Sequence, residues 1–295
     1  MSSKPLISVI CLCYNHSKYV IESLNSVIDQ TYDNIELIIA DDCSTDNSTK
    51  VIKEWLLKYP TVQFVENSKN LGNNKTFNNA FALSRGEYII DLAADDVLLP
   101  NCIEKQLKSF QNSDYKNIGI VYGNAEIISE QGDHQSYYYP TNELKKATPC
   151  PPSGDIYLSV IGQRNYICSV SSMLKREPFI ALKGYDEDLA FEDLDYWFRC
   201  SRKYNIVFID EILIKKRVIQ NSLGSVFYRK MNSYTNKINH SVFLIIKKAI
   251  VMNQTKEENK ELLYRIHIEM DKAIRTMNLP LLLRYIPLEL KMRFS

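Results

Sequence analysis

Arg85-Gly86-Glu87-Tyr88-Ile89-Ile90-Asp91-Leu92-Ala93-Ala94-Asp95-Asp96-Val97-Leu98-Leu99-Pro100 is the stretch that decides the fold. It reads as a helix end closed by Gly86, a short apolar strand over 88–92, and two adjacent carboxylates. Pro100 then suits the first turn of a new helix. Carboxylates just past the carboxyl end of an α/β strand lie on the rim where such sheets bind ligands. Two neighbouring carboxylates repel unless a cation lies between them, and a divalent metal bridging to a phosphorylated ligand would relieve that. The plainer reading is an N-cap Asp with a spare surface charge.

Upstream, the same strand-then-polar pattern repeats. Residues 7–13 and 35–40 are β-branched runs that read as buried strands. The first ends in Tyr14-Asn15-His16-Ser17, with Ser17 a candidate cap for a helix to about residue 30. The second ends in Asp41-Asp42-Cys43-Ser44-Thr45-Asp46. Helices over 48–59 and 73–84 flank a third strand over 61–65. Strands alternating with helices of this length imply βαβ units and a largely parallel sheet. Right-handed crossovers put all the strand ends on one rim, so 14–17, 41–46 and Asp95-Asp96 should converge. The first turn has no glycine fingerprint for a dinucleotide, and no P-loop occurs. Phosphate charge would then fall to a metal and to side chains such as Lys75 or Arg85.

With these residues in place, the chain resembles the family 2 glycosyltransferases of GT-A fold. The resemblance rests on 5–10 leading to Tyr14-Asn15, on 26–32, on 36–46, on Asn70-Leu71-Gly72, and on 86–89 followed by Asp95-Asp96. It implies an α/β fold: a Rossmann-like, mostly parallel sheet flanked by helices, a small mixed sheet on the acceptor side, and a helical C-terminal region. It implies an inverting transfer from a nucleotide-sugar donor, a UDP-sugar as the family-level expectation, to a glycan or lipid-linked acceptor, in bacterial surface polysaccharide (O-antigen or capsule) synthesis. Tyr14 would pack on the base with Asn15 beside it, and Asp42 would accept from the base imide. Lys75 would lie by the diphosphate. Asp95 and Asp96 would hold Mn2+ or Mg2+, with Asp96 the direct ligand. Core packing for Tyr14 and a turn role for Asp42 are the plainer alternatives.

Downstream, residues 101–110 read as a helix, 118–122 and 124–128 as strands, and 165–174 as a mixed strand. Residues 135–153, with three tyrosines and four prolines, read as a loop over the acceptor side whose rings either stack on a sugar or fill its underside. Residues 191–200 read as a helix with acids in its first turn, where the dipole keeps a carboxylate ionised, as a general base requires. The resemblance makes Asp193 the catalytic base and Glu192 its neighbour; Trp197 reads as core. Lys216 and Arg217 either assist the diphosphate or form a solvated cluster, and Ile219 stands where many relatives have a metal-binding histidine. His16, His240 and His267 show no ligand spacing in the sequence.

The division expected is a catalytic domain over 1–224 (nucleotide part about 1–100, acceptor part about 101–224) and a helical extension over 225–295. Residues 272–295 carry five Lys/Arg against one Glu, a net of +4, among many leucines. Such a segment can contact a membrane surface peripherally or dock on protein. The 36 basic and 35 acidic residues leave a net +1, which gives no reason to expect nucleic acid as a partner. Seven scattered cysteines without a C-x-x-C pair fit a reducing compartment. No signal-peptide pattern opens the chain, and no run reaches about 18 apolar residues. A cytoplasmic location, extending to the inner face of the plasma membrane, is the expectation. Two rivals are a non-catalytic nucleotide-sugar-binding scaffold, against which Glu192-Asp193 argues, and a sugar-nucleotide pyrophosphorylase, against which the glycine-free first turn argues.

Overall fold

The computed structural model describes residues 4–163, 167–219 and 233–294. Its N-terminal half is the βαβ succession that the apolar runs dictate. β1 (Ile7–Cys13) is buried along its whole length. It pairs in parallel with β2 (Ile35–Asp41) on one side and β4 (Tyr88–Ala93) on the other, and β3 (Gln63–Glu66) pairs with β2. The crossovers are α1 (Val20–Ile28), α2 (Ser48–Leu56) and α3 (Asn73–Leu83). Each lays an apolar stripe on the sheet: Val20, Leu24 and Val27 from α1, Ile52 and Trp55 from α2, Phe77 and Ala80 from α3.

Beyond β4 the sheet turns mixed. The two-residue β5 (Val97–Leu98) precedes α4 (Cys102–Asn112). β6 (Ile118–Ile128) is one long strand rather than two, and it forms a hairpin with β7 (His134–Tyr137), inside the segment that the sequence suggests is loop. The short α5 (Tyr157–Ile161) and a 3-10 turn at Ser169–Ser171 lead to β8 (Met173–Lys175). The mixed strand expected over 165–174 is thus a turn plus three strand residues, and Asn165 and Tyr166 lie outside the described residues. After α6 (Arg176–Ala181) and α7 (Asp193–Ser201) comes β9 (Asn205–Arg217), parallel to β6. The strand order is β3-β2-β1-β4-β8-β6-β9-β5, with β7 on the edge of β6.

Two local expectations fail for physical reasons. Gly86 does not close a helix in a left-handed cap: α3 ends at Leu83 and Ser84 is already extended. Gly86 is needed for close approach instead, because a Cβ there would meet the Ser8 N and Oγ at 2.4 Å. Ser17 caps nothing by its side chain; its N–H donates to Asp46 Oδ2 at 3.0 Å, and α1 begins after Tyr19.

Three helices follow: α8 (Ser233–Met252), α9 (Lys256–Arg275) and α10 (Leu279–Arg293). The proposed boundary at 224/225 lies outside the described residues. Buried Ile238, Val242, Ile245 and Ile246 of α8 belong to the same hydrophobic cluster as the sheet. Lys248 on α8 donates to Asp195 Oδ1 at 2.6 Å and also bonds Asp186, while Ala190 N donates to Ser241 Oγ at 2.8 Å. A capping box of Thr255 and Glu258 starts α9. The helical segment is therefore built against α7 and the turn that precedes it.

Candidate active site at the carboxyl ends of the parallel strands

Parallel pairing carries the three polar strand ends to one rim. The Asp42 N–H donates to Cys13 O at 2.9 Å, and the Ala94 N–H donates to Leu12 O at 2.9 Å. Asn15 and Cys43 turn the chain with φ of 61° and 63°. Left-handed backbone is tolerable for Asn but strained for Cys, the kind of conformation that binding loops hold. The Asn15 side chain faces the neighbouring turn: its Oδ1 accepts from Thr45 N at 2.7 Å and Asp46 N at 3.3 Å. Tyr14 is 45 % exposed, so the core-packing alternative is overturned and the ring stands free on the rim.

Asp42 is buried, and its carboxylate organises the β3–α3 turn. Oδ1 accepts from Asn67 Nδ2 at 3.0 Å and from Leu71 N at 2.7 Å; Oδ2 accepts from Gly72 N at 2.9 Å. Four lone-pair sites minus three bonds leave one for a ligand donor. The next residue, Asn73, reaches the other way and donates from Nδ2 to Glu192 Oε2 at 2.7 Å. Asn74 and Asn78, on the same helix, hold the carbonyls of Asp186 and Tyr185 at 2.6 and 2.9 Å. The start of α3 is thereby bonded at once to Asp42 and to the segment that delivers Glu192 and Asp193. Lys75 spends its charge on that segment, 3.6 Å from Glu187, rather than standing alone. Arg85 precedes β4, at the opposite end of the strand from Asp95, and its Nε pairs with Glu36 at 3.3 Å; it is no candidate for the diphosphate.

Asp193 opens α7 with Glu192 as its N-cap. The Leu194 N–H donates to Asp193 Oδ1 at 2.6 Å. The dipole alone would hold this carboxyl low; instead burial raises it, against the opposing pull of the Leu194 amide and the Lys216 charge. Glu192 is pushed up to about 7 by burial and then by the Asp193 charge. A third acid completes the group. Asp91, inside β4, is raised well above the usual carboxylate range by burial and by the Glu192 charge, and its carboxyl meets the Tyr185 hydroxyl. From sequence, 88–92 reads as merely apolar, although an acid inside such a run is itself a signal, because its burial is costly without a purpose.

Asp95 and Asp96 are not equivalent. Asp96 is 3 % exposed, its Oδ1 accepts the Arg217 N–H at 2.9 Å, and burial with the Asp95 charge raises its carboxyl well above the usual range. Arg217, 4 % exposed, donates to the carbonyls of Asp95, Ser129 and Glu130 and to Glu22. It is a buried bracket, neither a solvated charge nor a free phosphate ligand. Lys216 acts differently, since its charge stabilises the ionised forms of both Asp96 and Asp193. One ammonium is thus within electrostatic reach of both acids.

Asp95 faces His16 across the rim, with Oδ1 3.7 Å from Nδ1. That nitrogen is buried and has no hydrogen-bond partner among the described residues. The separation is too long for a hydrogen bond, so the buried imidazole nitrogen is a donor atom without a partner of its own among the described residues. Among the described residues no three His, Cys, Asp or Glu side chains form a ready cage. A dication completed by phosphate oxygens requires only one or two protein ligands, so the residues present fit such an ion. Ile219 supplies no donor, and His16 shows no local spacing because its partner is distant in the chain and near only in space.

Comparison with known proteins gives this cleft its family. The model of glycosyl transferase family 2 matches residues 8–177, more than half of the chain. The chain belongs to glycosyl transferase family 2. An uncharacterized glycosyltransferase of Methanocaldococcus jannaschii is 31 % identical over 241 residues, 78 % of each chain. S. aureus TarS 1–349 in complex with UDP-GlcNAc superposes with a TM-score of 0.66 at 16 % identity, covering 92 % of this chain and 73 % of that one. Mannosyltransferase PcManGT of Pyrobaculum calidifontis, in complex with GDP-Man and Mn2+, gives 0.61 at 15 % identity over 95 % and 78 %. These likenesses establish the GT-A architecture. Family membership makes the chain a glycosyltransferase and decides against the scaffold and pyrophosphorylase readings.

Proposed function

We propose that this glycosyltransferase moves a sugar with inversion from a nucleotide-sugar donor, a UDP-sugar first among them, to a hydroxyl of a glycan or lipid-linked acceptor in surface polysaccharide assembly. Tyr14 offers a face for the base, and the open lone pair of Asp42 takes the base imide. Asp95 and His16 would hold a divalent ion, while Asp96, bonded to the Arg217 amide, would position that turn rather than serve as the first ligand. When bound, Mn2+ or Mg2+ supplies neutralisation of charge on the diphosphate.

The protein's own part is proton removal and geometry. Asp193 accepts the acceptor hydroxyl's proton as that oxygen bonds to the anomeric carbon. The bond from that carbon to the diphosphate oxygen breaks, and its electron pair leaves with the nucleoside diphosphate. Glu192, tied by Asn73, fixes Asp193 and the incoming hydroxyl. Lys216 keeps Asp193 ionisable despite burial. A single in-line displacement inverts the anomeric centre and needs no enzyme nucleophile.

The observation that carries this reading is the start of α3, bonded on one side to Asp42 and on the other to Glu192. In this reading donor and acceptor machinery share one wall. The test is incubation with a panel of nucleotide sugars and Mn2+, following nucleoside diphosphate release and the anomeric configuration of the product. Release with inversion is expected; retention of configuration, or no release from any donor, overturns the proposal.

A further inference from the structure

The last helix has two apolar faces, and the fold uses only one. Leu281, Tyr285, Leu288 and Met292 of α10, spaced 4, 3 and 4, pack inward against the protein. Leu279, Leu283, Ile286, Leu290 and Phe294, spaced 4, 3, 4 and 4, make a second stripe on the opposite side. Their exposures are 61, 58, 37, 48 and 87 %, so the whole stripe faces outward. Isolated exposed leucines need no explanation, but five in helical register along one face do. Cations border the stripe: Arg284 and Lys291 on one flank, Arg293 on the other, all exposed. Arg284 is steadied by His240 and the Phe243 ring, and Arg293 by Glu289. Glu289, the one acid of the segment, is 8 % exposed and turned away from the stripe.

We propose that α10 is a membrane-surface helix, whose outer stripe enters the headgroup boundary of an anionic bilayer while its flanking cations meet lipid phosphates. Apolar residues on one face with Lys and Arg along its edges is the pattern of helices that lie in the interface plane. No helix among the described residues is long and apolar enough to cross a membrane, so the contact is with a surface. A second copy of the chain is the weaker occupant, since pairing two such stripes would oppose two segments each of net +4. The inference stands on this face alone and does not rest on the sugar-transfer reading.

The test is co-sedimentation of the full chain with vesicles of phosphatidylcholine alone or mixed with phosphatidylglycerol. Binding to the anionic vesicles only, weakened by added salt, is expected. A Leu283→Glu/Leu290→Glu double variant should bind at least about tenfold more weakly, with an unchanged thermal midpoint because both residues are exposed. Lys291→Ala should weaken binding while leaving the apolar stripe intact. Equal binding by the double variant, or no binding by the parent chain, overturns the proposal. So does a dimer in light scattering that the double variant abolishes in the absence of lipid.

Discussion

His16 Nδ1 stands 3.7 Å from Asp95 Oδ1, buried and otherwise unbonded among the described residues. This pair joins the first and third polar strand ends across the rim, and it is the geometry on which the proposed metal site rests. His16→Ala and Asp95→Asn should each weaken Mn2+ binding at least about tenfold in calorimetric titrations with nucleoside diphosphate present. Asp96→Asn should weaken it less, and the thermal midpoint should not fall, because the amide keeps an oxygen for the Arg217 N–H and removes a carboxyl that burial holds above its ordinary range. Unchanged Mn2+ affinity in both of the first two variants would remove the pair as ligands.

Asp193→Asn should cost about 10²–10⁴-fold in kcat, since it removes proton acceptance without changing shape. Nucleoside diphosphate affinity should stay within about twofold of the parent by the same reasoning. Substantial turnover by the variant, measured with donor and acceptor saturating, would exclude Asp193 as the base.

The acids of the cleft give a pH signature. Their carboxyls are raised, so the acid limb of the rate profile should lie above the ordinary carboxylate range. Stability has a definite sign too. A carboxyl raised from 4.5 to about 7 keeps its proton longer in the folded chain, so it disfavours folding progressively as pH rises from about 4.5 to about 7. Glu192→Gln should therefore raise the thermal midpoint at pH 8, by about 2–4 °C per kcal/mol regained, and much less at pH 4. Equal shifts at both values would contradict the raised pKa.

Tyr14→Ala tests the base platform. Because the ring is 45 % exposed, its removal should leave the thermal midpoint nearly unchanged. Loss of stacking, worth about 1–3 kcal/mol per base, should weaken nucleotide binding by about 5- to 150-fold. A titration in which affinity is unaltered would return Tyr14 to an incidental surface role.

Lys248→Met addresses the join between the helical segment and α7. Asp195 is 1 % exposed and would retain Arg199, 2.6 Å away. A loss of about 1–3 kcal/mol in denaturant unfolding is expected, below the cost of wholly orphaning a buried charge. A fall in kcat with donor affinity kept would show that Asp193 is steadied through this contact. A variant as stable as the parent would reduce the bridge to a surface pairing.

The parallel half of the fold is legible in the sequence because its strands are buried runs and its helices carry regular apolar stripes. β1, β2 and α3 follow the sequence reading within a few residues. The mixed half is not, because β5, β7 and β8 have two to four residues and exist through their partners rather than through any local pattern. Among the site residues, the strand-end acids are visible as polar breaks after apolar runs. The roles of Asp96 and Arg217 are not, since they depend on a contact across 121 positions. His16 lacks any local spacing for the same reason, whereas Asp91 carries a local signal as an acid within an apolar strand.

The ammonium of Lys248 also bears on protein engineering. A chain trimmed after β9 would retain every described strand yet strip α7 of its Lys248 brace and lay bare the apolar face that α8 covers. Exchanging tails between relatives would at the same time replace the cation that the buried Asp195 of α7 is bonded to.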